Sequence, residues 1–141
     1  MSNATHPQSG MAIGDLASDE MEIGMGQHGE GGGGRMKIQT ADDTAHIMID
    51  QLSKAIDVKP GDDLMLMING SGATTLMEMF IVARACHLSL QEKQASVARS
   101  KVEEVLTVQE MAGFQMCIGK FDSETISYWD KPCNAPYWIQ Q

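Results

Sequence analysis

The stretch GDDLMLMINGSGATTLMEMFIVARACHLSL, residues Gly61–Leu90, decides the fold. Leu64 to Ile68 is a continuous apolar run, too short for a helix and stopped by Asn69-Gly70. Such a run is expected of a strand covered on both faces. A longer apolar segment follows, in which Leu76, Met79, Phe80, Ala83 and His87 share one helical face. Upstream, Thr40 before Ala-Asp-Asp supplies an N-cap and an acidic first turn. Ala45, Met48, Ile49, Leu52 and Ile56 keep helical spacing until Lys54 and then Pro60-Gly61 close the segment. Helix, buried strand, helix is an α/β rhythm.

Outside this frame the reading is coarser. EMEIGMG, Glu20–Gly26, alternates polar and apolar residues with Met21, Ile23 and Met25 on one side, the period of a half-buried strand. ASVARS reads as a strand, KVEEVLTVQEMAG as a helix or a bent extended segment, and Phe114–Phe121 as another strand. DSETISYWD reads as a short helix capped by Asp122 or Ser123, and Pro132 and Pro136 predict an irregular tail. The sum is roughly four strands and three helices, a layered α/β fold with a mixed β-sheet and flanking helices. Residues 1–18 read as a tag remnant (MSNA) and an N-terminal arm broken by Pro7, Gly10 and Gly14. Residues 19–141 read as a single α/β domain.

Composition excludes several function classes. The 141 residues carry a formal net charge of -9, and the ten Lys and Arg are scattered rather than gathered into a basic stripe. Nucleic acid is therefore not an expected partner. Cys86, Cys117 and Cys133 form no CxxC pair, which argues against a thiolate metal site or a disulfide framework and favours reduced, cytoplasmic thiols. No basic segment precedes an apolar run at the N-terminus and no eighteen apolar residues occur together. Neither a signal peptide nor a membrane span is expected.

GMGQHGEGGGG, Gly24–Gly34, holds His28 among glycines and two residues before Glu30. A loop with so little side-chain bulk lets a ligand approach its backbone. His28 has three readings at this point: a solvated loop residue, a metal ligand, or a reactive imidazole. The metal reading lacks support, because His6, His46 and His87 show no H-x-x-H or HExxH spacing. A neutral imidazole is a competent nucleophile near neutral pH. The second glycine loop, Asn69–Thr75, is either a tight strand-to-helix turn or an anion site at a helix N-terminus. It lacks the Walker lysine and does not match GxGxxG. Met65, Met67, Met77 and Met79 read as core, His46 and Asp50 as a solvated i,i+4 pair, and Trp129 and Trp138 as packing or interface residues.

Several ordered motifs together resemble a known family. DEMEIGMGQHGE, GDDLMLMINGSGATTLMEMFIVAR, QEMAGF and MAGFQMCIGKFDSETISYWDKPCNAPYW are similar to the C-terminal lobe of the substrate-binding subunit of dihydroxyacetone (glycerone) kinases. The resemblance runs from about Asp15 to Trp138. It implies that His28 is the residue that attacks the substrate ketone and forms a covalent hemiaminal. Short carbonyl sugars would then be selected over glycerol, and the tethered hydroxyl would be held for phosphoryl transfer.

The resemblance also implies what must come from elsewhere. A separate N-terminal kinase half would complete the triose pocket and supply the acid–base residues, the chain being either one half of a split kinase or an excised fragment. A nucleotide-binding or phosphoryl-donor subunit would bring ATP with Mg or a phosphotransferase-system donor. This chain itself would bind no cofactor and would be inactive alone, working within a homo- or hetero-oligomer. Two departures from the family pattern stand in the loop: Gln27 replaces an apolar residue, and GEGGGG replaces GEPG, removing a stiffening proline. A four-carbon ketose such as erythrulose is an alternative substrate. A non-catalytic ketose-sensing co-regulator on the same fold, or an assembly module without ligand, are the alternative functions.

Overall fold

The computed structural model describes residues 4–26, 31–108 and 110–140. The elements are β1 (Ala4–Thr5), β2 (Ala12–Ile13), β3 (Glu20–Ile23), β4 (Gly34–Lys37), α1 (Ala41–Ala55), β5 (Asp63–Gly70) and α2 (Leu76–Glu92). Then follow β6 (Ser96–Glu103), β7 (Phe114–Phe121), α3 (Ser123–Trp129), β8 (Cys133–Ala135) and β9 (Trp138–Gln140). The main sheet has the order β6-β5-β7, with β6 parallel and β7 antiparallel to the central strand. Three antiparallel two-stranded ribbons accompany it: β1-β2, β3-β4 and β8-β9. The fold is the layered α/β arrangement with a mixed sheet that the apolar pattern predicts.

Alternation on β5 sets the layers. Leu64, Leu66 and Ile68 have no exposed surface and face α1 and α2, where Ala45, Ile49, Met79, Cys86 and Leu90 close the core. Met65 and Met67 point the other way and are half-buried. Arg99 and Lys101 lie opposite them on β6, and Cys117 lies opposite Met67 on β7. Paired residues share a sheet face. This second face is covered by α3 and the β8-β9 ribbon. Arg99 grips Asp130 with two parallel bonds of 2.6 and 2.5 Å, and Lys101 stands 4.3 Å over the Trp138 ring. Trp129 is wedged edge-on between Phe121 and Trp138. The two tryptophans are packing residues.

Several expectations need correction. The strands number nine among the described residues, not four, because ribbons of two to four residues are too short to show a period. Of the two readings of KVEEVLTVQEMAG the bent extended one holds: β6 runs to Glu103, no helix forms among the described residues 104–108 and 110–113, and the amides of Val105 and Leu106 donate to the Asn69 carboxamide at 2.8 and 2.9 Å. The tail is not irregular but a hairpin. The core face of α2 is also rotated from the predicted one. Met79, Val82, Ala83, Cys86 and Leu90 are buried, whereas Leu76, Met77 and Phe80 are exposed. The helix is apolar nearly all round, so periodicity alone does not choose a side.

Helices α1 and α2 pack side by side, and polar links fasten their edges. His46 and Asp50 interact through charge without a hydrogen bond; the nearer partners lie across the helices, His46 Nε2 at 3.4 Å from Glu92 on α2 and Lys93 on Asp50. His46 Nδ1 is 2.9 Å from the Asp42 carbonyl. That carbonyl first, and the Glu92 carboxylate second, raise the imidazole pKa above its ordinary value. The raised value favours the charged ring in the folded state. Its contribution is therefore complete below the unfolded pKa and fades as pH climbs through the folded one. Between about pH 5.5 and 8.5 the wild type should lose more thermal stability than His46→Gln, as read from paired melting curves.

Candidate functional site

The glycine loop springs from the β3-β4 ribbon. Glu20 pairs with Lys37, Met21 with Met36, Glu22 with Arg35 and Ile23 with Gly34, so the connection between the strands is Gly24–Gly33. The missed strand β4, GRMK, has no apolar period of its own. Its place is set by pairing with β3 and by charges, with Arg35 bonded to Asp15 and Lys37 to Asp19. His28 and Glu30, with their neighbours Gln27 and Gly29, lie outside the described residues.

The foot of the loop is tightly built. The Gly33 amide donates to the Ile23 carbonyl at 2.6 Å. Gly24 has φ +78°, and a Cβ there would meet the Gly33 nitrogen at 2.9 Å. At Gly32 a Cβ would lie 2.6 Å from both the Ile23 oxygen and the Met25 nitrogen. Backbone atoms cannot yield to such contacts without moving the strand. Two of the glycines are thus steric necessities at the base.

A cavity of about 240 Å³ opens beside this foot. Met21, Ile23 and Met25 line it from β3 and the loop, Met48 and Leu52 from α1, and Phe114 from the start of β7. Its polar lining includes the Glu22 carboxylate, Thr44, Gln51 and Gln115. Glu22 also lies 3.8 Å from Arg35. The wall is mostly apolar, whereas a polyhydroxylated ligand needs several converging hydrogen-bond partners.

The Asn69–Thr75 turn serves to position that wall. Asn69 is buried and donates to the Leu106 carbonyl at 2.5 Å and to Gln115 Oε1 at 3.0 Å. Gly113 donates to Thr74 Oγ1 at 2.7 Å, and Ser71 donates from its amide to the Gly113 carbonyl at 3.0 Å. The turn thereby clamps the chain that enters β7. At the helix itself Thr75 and Glu78 form a capping box. Glu78 Oε2 accepts from the Thr75 amide at 2.8 Å, so the helix start is supplied with a carboxylate from its own chain. That favours the turn reading over the anion reading. The T-x-x-E spacing announces this cap in the sequence.

The remaining candidates hold no second chemistry. All three cysteines are free. Burial pushes the Cys86 thiol up to about 12, so it stays protonated against Met116. Among the described residues no cluster of three or more His, Cys, Asp or Glu is arranged to hold a metal ion. No helix among them is long and apolar enough to cross a membrane.

The family model for the Dak1 domain matches residues 1–137. The chain belongs to the Dak1 domain family. It is 31% identical over 138 residues to the dihydroxyacetone-binding subunit DhaK of the PTS-dependent dihydroxyacetone kinase 2 of Listeria innocua. That match takes in 98% of this chain and 42% of the relative. Among solved structures, a dihydroxyacetone kinase operon co-activator, Dha-DhaQ, superposes with a TM-score of 0.88 at 26% identity. The match covers 98% of this chain and 43% of the other. The dihydroxyacetone kinase of C. freundii in complex with AMP-PNP and Mg2+ has the same fold, with a TM-score of 0.78 at 23% identity, over 96% of this chain and 25% of that one. The chain thus spans less than half the length of these Dak1-type proteins.

The steric argument at the foot of the loop predicts opposite results for neighbouring glycines. Gly32→Ala should destabilise the protein by about 1–3 kcal/mol and speed amide exchange in β3 and β4. Gly31, where a Cβ meets nothing within 4 Å, should accept Ala within about 0.5 kcal/mol. Urea denaturation and hydrogen exchange of the two variants check this.

Proposed function

We propose that this chain is the ketose-binding subunit of a dihydroxyacetone-type kinase and that His28 is its covalent anchor. The observation that carries the reading is the Dak1 match over residues 1–137, combined with a glycine-pinned ribbon whose connecting loop holds His28 at the motif position. The lone pair of the neutral ring nitrogen adds to the ketone carbon. The π electrons of the C=O move to its oxygen, which takes up a proton, and the proton on the other ring nitrogen leaves to water or a nearby base. No atom of the sugar is lost, so the hemiaminal is a reversible tether.

The tether selects a carbonyl compound, dihydroxyacetone or a similar short ketose, because glycerol has no carbon for the nitrogen to attack. It also fixes the hydroxyl that receives the phosphoryl group, a transfer that depends chiefly on positioning. The general base comes from a separate N-terminal kinase half. The phosphoryl group comes from a further subunit using ATP with Mg or a phosphotransferase-system donor. Alone the chain would phosphorylate nothing, and a cytoplasmic location suits substrate and donors alike.

A second reading has its own support. The likeness to the Dha-DhaQ co-activator, TM-score 0.88 over 98% of this chain, favours a co-regulator that captures the ketose and reports it. Both readings use the same tether and differ in the turnover of the assembled complex. With the complementary Dak1 portion present, intact-mass spectrometry should show one added dihydroxyacetone mass on this chain and none with glycerol. His28→Ala should abolish the adduct. Absence of an adduct with dihydroxyacetone and with erythrulose would remove the covalent reading. Phosphorylation on adding the donor subunit selects the kinase, and an adduct without turnover selects the co-regulator.

A further inference from the structure

Glu22 is the one charged side chain among the described residues that line the cavity at the foot of the glycine loop. The lining around it is neutral, with Thr44, Met48, Gln51 and Leu52 from α1 and residues 113–116 at the entry to β7. Its side chain is 13% exposed, the least of the carboxylates in ion pairs of the described residues. Asp15 and Asp19, which hold the cations of β4, are 76% and 64% exposed. Taking a carboxylate out of water costs free energy, and a cross-strand pair on a solvated ribbon does not require it.

The carboxylate is turned toward the loop rather than seated on its cross-strand partner. Glu22 faces Arg35 in the ribbon, yet their charged atoms stand 3.8 Å apart, and the Arg35 guanidinium is bonded to Asp15. On the loop side, a Cβ at Gly32 would lie 2.9 Å from Glu22 Oε1. The carboxylate therefore lies against the backbone by which the loop returns to β4, in the space that the glycine leaves. Gly32 has two reasons to lack a side chain: the backbone of Ile23 and Met25, and this carboxylate.

We propose that Glu22 is a positioning residue for the His28 tether: from the foot of the loop its carboxylate supplies the negative charge that offsets the positive charge gathering on the imidazole as a ring nitrogen bonds to the ketone carbon. This deepens the proposed function and rests on its reading of His28. The bonds made and broken stay those of the reversible addition, and Glu22 gives and takes no atom. A nearby carboxylate favours the protonated ring, and a more basic ring nitrogen is the stronger nucleophile once neutral. Low exposure keeps this field from being screened by solvent. The other described charges of the ribbon are Arg35 with Asp15, Lys37 with Asp19, and Glu20 on β3 itself. Glu20 lines a neighbouring groove of about 350 Å³ that shares Met21 and Phe114 with the cavity. Helix α1 and strand β7 add no charge to the cavity lining, and Glu30 lies outside the described residues.

The test is an NMR titration of the His28 imidazole in the full chain, its signal assigned through His28→Ala, run beside the dihydroxyacetone adduct measurement. Glu22→Gln keeps the shape and removes the charge, so the His28 midpoint should fall by about 0.5–1 pH unit. At a pH above both midpoints, where the ring is neutral in each protein, adduct formation at subsaturating dihydroxyacetone should drop about 3- to 10-fold. Glu22→Asp retains the charge and should recover most of both losses. Glu20→Gln removes a charge from the same strand and should move the midpoint less than half as far. Circular dichroism of all three variants should match the wild type. An unchanged midpoint in Glu22→Gln, a Glu22→Asp midpoint that falls as far, an equal shift in Glu20→Gln, or loss of the fold in Glu22→Gln would each overturn the inference. The adduct is scored separately. A midpoint that shifts as expected in a protein that forms no adduct upholds the charge at the loop foot and removes the covalent reading; an adduct equally abundant in wild type and Glu22→Gln does the reverse.

Discussion

The structure depends on the central position of β5. It is hydrogen-bonded on one side to β6 and on the other to β7, and its Leu64, Leu66 and Ile68 are sealed beneath two helices. A one-residue slip would turn these three outward and bring Met65 and Met67 in, so the burial of one face fixes the register of both neighbours. The same register places Asn69 at the end of the strand, opposite Glu103 and Gln115. Its carboxamide then takes two amides and gives to a carbonyl and a side chain, which uses the bonding capacity of a buried polar group almost fully.

From that anchor the path to the candidate site is short. The Asn69 bonds settle residues 104–106, the Ser71 and Thr74 bonds settle Gly113, and the chain enters β7 at Phe114. Phe114 floors both the cavity and the groove. The second glycine motif, which on sequence competes as an anion site, is thus the support that holds the wall under the first. At the first motif, sterics at Gly24 and Gly32 tie the foot of the loop to Ile23. The loop is constrained at its base and carries minimal side-chain bulk beyond it.

What was legible in the sequence follows from what each element needs. The helices at 41–55 and 123–129 and the strands at 63–70 and 114–121 are written locally, in caps at Thr40 and Asp122 and in apolar runs of adequate length. The strand GRMK and the tail hairpin are not, because their existence is a matter of pairing with distant or adjacent segments rather than of composition. The side on which α2 packs was illegible for a different reason: apolar residues occupy both faces, one for the core and one left open. His28 emerged only through the motif that surrounds it. The cavity beside its loop combines α1, β3 and β7, and no local pattern brings those together.

The cavity and the glycine loop have a common physical logic under the proposed reading. A covalent bond from one ring nitrogen supplies directionality that would otherwise require several hydrogen bonds, so the chain bearing it can offer a mostly apolar wall. Methionines suit such a wall, since Met21, Met25, Met48 and Met116 can adjust to whatever surface arrives. Under that reading the polar recognition and the base would lie outside this chain.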